Sequence, residues 1–289
     1  MKESYLYKKL IRQPADHQVQ CQTCQHNCLI NPNKRGVCGV RENRHGKLYF
    51  LAYDKIITAH IDPIEKKPLY HFMPGTFTYS IATVGCNFHC PWCQNADISQ
   101  TPKITGDKMT PNKIVNQAIK NNCPSISYTY TEPTIFLELA LDTMKLARSK
   151  KLKNIWVSNG YFSPETLKLI SPYLNAINID LKSFREKTYQ KYCGAKLKPV
   201  LENIKAIHNK KIHLEVTTLI IPDINDSEKE LTQIAEFLAK IDKNIPWHIS
   251  RFFPAYKMMS SAITPIKTLE LATQIGKKAG LKYVHLGNI

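Results

Sequence analysis

The chain of 289 residues can bury one large α/β domain or a domain with an appendage, and no stretch approaches the roughly 18 apolar residues of a membrane span. Its nine cysteines follow an N-terminus without the apolar run of a signal peptide, so we expect a cytoplasmic protein with metal or redox chemistry rather than a disulfide framework. The net charge of +17 permits nucleic-acid binding, but the lysines are spread along the chain without interleaved aromatic residues, so neither nucleic acid nor membrane is the expected partner.

The first cysteine group consists of Cys21, Cys24, Cys28 and Cys38. Four thiols at these spacings, with glycines beside the last of them, suit a closed tetrahedral site. Zinc and an auxiliary iron–sulfur cluster both fit four thiolates, and four plain thiols are the remaining alternative. The pattern therefore predicts a cysteine-rich metal knuckle, and the spacing does not identify the metal.

A boundary follows at Pro74-Gly75, a typical turn signal. The predicted domains are residues 1–75, which hold the knuckle and a β-hairpin, and residues 76–289, which hold the larger unit. The hairpin is expected around residues 48–62, where it would pack the knuckle beside the larger unit.

Beyond the boundary, short runs of β-branched and aromatic residues alternate with helix-like segments. Thr110-Pro111, Ser163-Pro164 and Ser227 are helix start signals. This alternation predicts βαβ units with a parallel sheet, and the number of units predicts an α/β fold of the partial (β/α)6 barrel type. The predicted strands are residues 77–84, 125–130, 154–159, 176–180, 212–219, 246–252 and 282–286.

Polar and apolar residues alternate strictly within two of these strands. Asn178 and Asp180 share one face of the strand at 176–180, and Glu215 and Thr217 share one face of the strand at 212–219. Parallel strands covered on both faces are normally apolar throughout, so a polar face predicts a lumen that binds a ligand at the carboxyl ends of the strands. The alternative is a wet lumen in which these groups satisfy one another.

The second cysteine group, Cys86, Cys90 and Cys93, lies in the loop that leaves the first strand of the larger unit. A structural zinc site needs four ligands, and His89 is awkwardly placed to be the fourth. Three thiolates that hold a four-iron cluster leave one iron open to an outside ligand. The position and the ligand number therefore favour a 4Fe-4S cluster with a reactive iron.

At these residues the chain resembles the radical S-adenosylmethionine (SAM) superfamily, whose signature is Cys-x3-Cys-x-aromatic-Cys. Residues 86–93, CNFHCPWC, match it completely. The resemblance implies a 4Fe-4S cluster on the three cysteines, whose open iron binds SAM, and reductive cleavage of SAM to methionine and a 5'-deoxyadenosyl radical that abstracts hydrogen from a substrate. Trp92 would then lie near the adenine, and an electron donor such as flavodoxin or ferredoxin would be needed.

Further segments resemble the activating-enzyme branch of that superfamily. Thr131 and Glu132 stand where many members have a Gly-Gly-Glu-Pro motif that receives the SAM ammonium, a sensible place for a carboxylate. The alternative for Glu132 is an ordinary acid at a helix N-terminus. The resemblance implies that two further pairs contact SAM; they are Ser158 with Asn159, and Asp180 with Lys182.

Along nearly the whole chain the pattern resembles the radical SAM member of the AmmeMemoRadiSam system, a family similar to the pyruvate formate-lyase activating enzymes. The segments CQTCQHNCLINPNKRGVCGVR, DPIEKKPLYHFMPGT and PWHISRFFPAYKM carry this resemblance together with those above. It implies an oxidoreductase-type radical SAM enzyme with an unidentified substrate, a protein among the candidates, and Memo-type and AMMECR1-type proteins as partners. The alternatives are a glycyl-radical-enzyme activase and a non-catalytic cysteine-metal protein that binds nucleic acid.

Overall fold

The computed structural model describes residues 1–10 and 17–289 of the chain. Besides the strands and α-helices given below, the described residues contain 3-10 turns at Ile64–Lys66 and Pro133–Phe136 and a π-helical turn at Tyr189–Cys193. The strands are β1 (Lys2–Glu3), β2 (Tyr7–Leu10), β3 (Gln18–Cys21), β4 (Leu29–Ile30), β5 (Arg41–Arg44), β6 (Lys47–Phe50), β7 (Lys55–Ile56), β8 (Thr58–Pro63), β9 (Phe77–Ala82), β10 (Asp107–Lys108), β11 (Ser125–Tyr128), β12 (Lys153–Ser158), β13 (Ala176–Asp180), β14 (His213–Ile220), β15 (Trp247–Arg251) and β16 (Val284–Gly287). The helices are α1 (Ala96–Ser99), α2 (Pro111–Lys120), α3 (Leu137–Ser149), α4 (Pro164–Ile170), α5 (Glu186–Thr188), α6 (Leu197–Asn209), α7 (Glu228–Ile241) and α8 (Ile266–Lys278).

The main sheet has the order β16-β15-β14-β13-β12-β11-β9-β8. Neighbouring strands from β9 to β16 run parallel, and β8 is an antiparallel edge strand beside β9. The predicted parallel α/β sheet is confirmed. Because β8 and β16 are the two edges in this order and are not paired with each other, the barrel is open on one side, which agrees with a partial barrel.

The start signals read from the sequence cap three helices. The side chains of Thr110, Ser163 and Ser227 accept hydrogen bonds from backbone amides at the starts of α2, α4 and α7, which satisfies donors that have no partner inside the helix. The helices α6 and α8 were not predicted. Neither has a side-chain cap, since Lys196 and Pro265 occupy the capping positions, so the start signal was missing there.

The lumen is closed at the end where the parallel strands begin. The segment between β8 and β9 crosses this end, and Ile64 and Leu69 from it pack with Ile155 and Ala176 from the strands. The backbone amides of Tyr70 and His71 also donate to the Glu215 carboxylate at 3.0 and 2.8 Å. The cavity therefore opens at the carboxyl ends of the strands, and the buried Glu215 carboxylate anchors the segment that closes the other end.

The N-terminal region forms two small antiparallel sheets, β2-β3-β4 and β1-β6-β5. The hairpin lies earlier in the chain than predicted. It is formed by β5 and β6, whereas residues 48–62 contribute strands to three different sheets. His45 and Gly46 turn this hairpin with φ of 51° and 78°, values that suit a tight two-residue turn. The division at residue 75 stays a prediction; β8, which precedes it, pairs along its whole length with β9.

No helix in the described part of the chain is both long enough and apolar enough to cross a bilayer.

Candidate active site

A cleft of about 540 Å³ lies at the carboxyl ends of the parallel strands. The loop after β9 places Cys86, Cys90 and Cys93 in its wall. The predicted cofactor-binding side chains line the same cleft; they are Trp92, Thr131, Glu132, Ser158, Asn159, Asp180 and Lys182. Residues that are far apart in the chain thus meet at one site because each follows a strand of the same parallel sheet.

Two aromatic side chains hold the cysteine loop in place. Phe88 and Trp92 are 2% and 4% exposed, so the loop is anchored on both sides of Cys90. The Phe88 ring lies 5.3 Å from the ring of Tyr161, and its backbone amide donates to the Cys86 sulfur at 3.4 Å. The interleaving of aromatic residues with cysteines therefore has a structural reason: the buried rings anchor the loop whose three cysteines line the cleft.

The three sulfurs have different surroundings. The Cys90 sulfur lies 3.7 Å from the sulfur of Cys193, and the Cys93 sulfur lies 3.3 Å from the Ser99 hydroxyl. Burial raises the pKa of the Cys86 thiol, whereas the hydrogen bond with Cys193 lowers the pKa of Cys90. Within residues 1–10 and 17–289, no three or more Cys, His, Asp or Glu side chains are grouped as one metal ion requires. Thiols spread along a cleft wall fit a larger group such as an iron–sulfur cluster.

Glu132 is buried and accepts hydrogen bonds at both carboxylate oxygens. Its Oε1 accepts from the Thr134 amide at 3.0 Å and from the Ser158 hydroxyl at 2.8 Å, and its Oε2 accepts from the Asn159 amide at 2.8 Å. Burial raises the pKa of the Glu132 carboxyl, and this effect outweighs the hydrogen bonds, which lower it. Glu132 is therefore both a helix cap and the connector between two strand ends.

Asn159 links Glu132 to the cysteine loop. Its side-chain amide donates to the Asn87 side-chain oxygen at 2.8 Å, and its own side-chain oxygen accepts from the Tyr161 amide at 3.0 Å. The Asn87 side-chain nitrogen is buried without a partner within the described chain. Asn87 was not predicted, although it lies inside the cysteine motif.

Asp180 and Lys182 form an ion pair in the cleft, with the Lys182 nitrogen 3.0 Å from the Asp180 carboxylate. Burial works against the charge on Lys182, but Asp180 and Cys90 outweigh it and raise the pKa of Lys182. The Lys182 amide also donates to the hydroxyl of the buried Tyr189 at 3.1 Å. Lys182 therefore presents a positive charge beside the cysteine loop.

Two lysines on the opposite side of the cleft were not among the predicted site residues. Lys66 and Lys67 line it, and both bind the carboxylate of Asp62, at 2.8 and 2.6 Å. The Tyr130 hydroxyl donates to the same carboxylate. The motif DPIEKKPLYHF was recognisable in the sequence, but nothing in its spacing indicated that it faces the cleft.

The four N-terminal cysteines line a second, much smaller cavity together with His26 and Arg41. Arg41 is buried and binds Glu138 at 2.7 Å, while its Nε has no partner in the described chain. A buried guanidinium beside four thiols fits a centre that carries negative charge. The structure thus brings these cysteines to one cavity, although they do not converge on a point as a single ion would require.

This knuckle packs directly against the loop that carries Cys86, Cys90 and Cys93. The His26 side chain lies 2.8 Å from the Asn87 carbonyl oxygen and packs edge-on against Tyr161. A Cβ atom at Gly85, the residue before Cys86, would lie 2.7 Å from the Cys38 carbonyl oxygen. The two cysteine groups therefore share a packed interface.

Comparison with known proteins agrees with this geometry. Residues 80–238 match the sequence profile of the radical SAM superfamily. A protein of uncharacterised function from Methanocaldococcus jannaschii is 44% identical over 292 residues, which span 100% of this chain and 86% of the relative. Another protein of that organism, provisionally named as a glycyl-radical enzyme activating enzyme, is 27% identical over 71% of this chain and 77% of its own length.

The fold is also similar to that of solved structures. Streptococcus suis SuiB, solved with bound S-adenosylmethionine, superposes with a TM-score of 0.58 and 11% identity over 74% of this chain and 52% of that protein. At that identity the likeness concerns the fold alone. Since the superfamily profile covers more than half of the chain, including the cysteine loop and the strands from β11 to β14, the chain belongs to the radical SAM superfamily of enzymes.

Proposed function

We propose that this enzyme binds a 4Fe-4S cluster through Cys86, Cys90 and Cys93, binds SAM beside it, and abstracts hydrogen from a substrate with the radical derived from SAM. The observation that carries the proposal is that the three cysteines and all the predicted SAM-binding residues line one cleft. A cluster with one iron free of cysteine supplies, when reduced, the electron that cleaves SAM to methionine and the 5'-deoxyadenosyl radical.

Different residues of the cleft bind different groups of SAM. Glu132 lines the cleft as a buried carboxylate and offers negative charge to the ammonium group, while Lys182 offers positive charge to the carboxylate. Asp180 holds Lys182 in place through their ion pair. Trp92 presents its buried indole as a stacking surface for the adenine. Thr131 is oriented by the bond from its hydroxyl to the Thr83 carbonyl at 2.9 Å.

The N-terminal cysteines are proposed to hold a second metal centre. Their common cavity, the buried Arg41 and the packing of Cys38 against Gly85 support a centre that stabilises the cysteine loop. Iron and zinc analysis of purified protein, with and without Cys24→Ala and Cys38→Ala, identifies the metal: loss of zinc alone indicates a zinc knuckle, and loss of iron and sulfide indicates an auxiliary cluster.

The enzyme is further proposed to belong to the AmmeMemoRadiSam system and to act in the cytoplasm. The collinear motifs support this assignment. It carries with it flavodoxin or ferredoxin as the electron donor and Memo-type and AMMECR1-type proteins as partners. Co-purification of these proteins with the tagged full chain tests it. Membership in an enzyme superfamily argues against the non-catalytic nucleic-acid-binding alternative.

The test of the activity is anaerobic. Protein reconstituted with iron and sulfide is reduced with dithionite, mixed with SAM, and assayed for 5'-deoxyadenosine. We expect product from the wild type and from the control Cys123→Ala, which changes a buried cysteine away from the cleft. A combined Cys86→Ala, Cys90→Ala and Cys93→Ala variant should yield none. A fully loaded, reduced wild-type protein that neither binds nor cleaves SAM would contradict the proposal.

A second candidate is a glycyl-radical-enzyme activase, because a relative covering 71% of this chain is provisionally named as one. This activity needs a partner protein whose glycine loop reaches the cleft. Electron paramagnetic resonance distinguishes the two: an activase produces a glycyl radical on an added partner, with one 5'-deoxyadenosine formed for each radical. Deoxyadenosine without a radical on any partner favours the first candidate.

A further inference from the structure

The cleft contains a cationic group that the binding of SAM does not use. Lys67 is 2% exposed, lies at the side of the cleft formed by the segment after β8, and is fixed over the Tyr130 ring with its nitrogen 4.5 Å from the ring centre. Its backbone position is fixed as well, since its amide donates to the Ile64 carbonyl at 2.9 Å. A lysine is rarely buried this deeply unless its charge has a use or a full set of partners.

Lys67 lacks a full set of partners. An ammonium group has three N–H donors, and the hydrogen bonds of the described chain account for one of them, the bond to Asp62 at 2.6 Å. Asp62 is shared, because it also binds Lys66 and accepts from the Tyr130 hydroxyl. Burial lowers the pKa of Lys67, which marks its ammonium group as incompletely compensated.

A second observation points to a ligand on the same cavity. Thr217 lines the cleft from the middle of β14, is 7% exposed, and its hydroxyl has no hydrogen-bond partner among the described residues. Thr217 is the register partner of Asp180 on the neighbouring strand, so its hydroxyl lies on the lumen face of the sheet. A buried hydroxyl without a partner is costly unless a ligand satisfies it.

The charges agree with an anionic ligand. Asp180 and Lys182 neutralise each other, and Glu132 faces the ammonium of SAM in the function proposed above. On the other side, Asp62 also binds the exposed Lys66 and the Tyr130 hydroxyl, so its negative charge is divided among three partners and only partly compensates the positive charge of the buried Lys67. One anionic group of the substrate would balance it.

From this geometry we infer that Lys67 and Thr217 bind a single anionic group, a carboxylate or a phosphate ester, of a small-molecule substrate. The assignment names the substrate class of the proposed activity and rests on it. The anion site lies deep in the lumen, beside Pro68, whose carbonyl accepts a hydrogen bond from the Asn178 side chain at 2.8 Å. This depth suits the end of a small molecule that enters from the open mouth. The substrate is held there by charge and by one hydroxyl, with its remaining atoms directed toward the cysteine loop.

The probes are acetate and inorganic phosphate, titrated by calorimetry into the reconstituted full-length protein under anaerobic conditions. We expect the wild type to bind at least one of them, Lys67→Gln to bind it at least tenfold more weakly, and Thr217→Val to bind it several-fold more weakly. Lys198→Gln is the matched control, because Lys198 is 83% exposed and pairs only with Glu202 on the surface. Binding of acetate alone assigns a carboxylate, binding of phosphate alone assigns a phosphate ester, and equal binding assigns recognition of charge.

The inference is overturned if the wild type binds neither probe, or if both cleft variants bind as tightly as Lys198→Gln. If Lys67→Gln does not fold, Thr217→Val decides, since it replaces a hydroxyl by a methyl of the same shape. The deoxyadenosine assay on the wild type is run separately. Cleavage of SAM without anion binding refutes this inference alone, and a fully loaded, reduced protein that neither binds nor cleaves SAM refutes the proposed activity while the titration still reports on the anion site.

Discussion

The side-chain amide of Asn159 donates a hydrogen bond to the side-chain oxygen of Asn87 at 2.8 Å, which connects the end of β12 to the loop of the three cysteines. Both residues are buried, and Glu132 fixes the Asn159 backbone from the other side. The position of the cysteine loop is therefore coupled to the strand ends that are proposed to bind SAM.

Replacing Asn159 should loosen this connection. Asn159→Ala removes the bond to Asn87 and the bond from the Tyr161 amide, and we expect it to lower the rate of deoxyadenosine formation about tenfold and the free energy of unfolding by about 1–3 kcal/mol. The electron paramagnetic resonance spectrum of the reduced cluster should change on SAM addition less than in the wild type. Asn121→Ala, at an exposed helix end, is the control; equal effects of both variants would contradict the coupling.

Glu132→Gln keeps the shape of the side chain and removes its charge. One carboxylate oxygen becomes an NH2 donor that faces either the Ser158 hydroxyl and the Thr134 amide at the Oε1 position or the Asn159 amide at the Oε2 position, all of which donate to Glu132, so we expect SAM affinity to fall at least about tenfold. Equilibrium binding of SAM to the reconstituted protein measures it. If Glu132 is a helix cap alone, stability will fall while SAM affinity stays unchanged.

Gly85 has a φ of +95°, and a Cβ atom there would lie 2.6 Å from Val40 and 2.7 Å from the Cys38 carbonyl oxygen. Gly85→Ala should therefore cost about 3 kcal/mol or more of unfolding free energy and reduce the iron bound after reconstitution. Gly75→Ala is the matched control, since Gly75 has a φ of +75° but no atom within 4 Å of the added methyl. It should cost about 1 kcal/mol and leave the iron content unchanged.

Cys193 tests which thiols bind the cluster. Its sulfur lies 3.7 Å from that of Cys90, yet the signature assigns only the three loop cysteines. We expect Cys193→Ala to retain the iron and sulfide of the wild type and Cys90→Ala to lose most of both. Equal loss in the two variants would make Cys193 a ligand and leave no iron open for SAM.

Glu215 makes the free energy of unfolding of the protein depend on pH. Burial opposes its charge, but hydrogen bonds from His213, His248 and two backbone amides outweigh it and lower its pKa to about 2. A carboxyl group whose pKa is lowered in the folded state stabilises the fold at pH values above its ordinary pKa of 4.5. This contribution is lost as the pH falls toward 2.

Urea unfolding of the wild type and Glu215→Gln measures this contribution. The two should differ by about 2 kcal/mol or more at pH 6 and converge as the pH falls to about 2. Glu202→Gln, on the surface, should follow the wild type at every pH. A difference between wild type and Glu215→Gln that is independent of pH would show that the carboxyl group is not charged in the folded state.

Several features could be predicted because they are local. The spacing of Cys86, Cys90 and Cys93 and the start signals at Thr110 and Ser163 are read from adjacent residues, and the structure has the loop and both caps. The polar face of β13 and β14 was readable from alternation, since side chains alternate between the two faces of a strand. The position of the hairpin was not predicted correctly, because the strands within residues 48–62 belong to three separate sheets.

By itself, the sequence determined the order of the parallel strands and of helices α2, α4 and α7, the cysteine loop after the first parallel strand, and which side chains share a strand face. Only the tertiary structure decided that Cys193 lies beside Cys90, 103 residues away, that Asn159 meets Asn87, 72 residues away, and that Lys67 faces the cleft. These contacts form when parallel strands bring their carboxyl ends to one edge and the segment after β8 folds across the other. The physical reason is that local spacing governs conformation within a few residues, whereas contacts between distant residues depend on how the whole sheet packs.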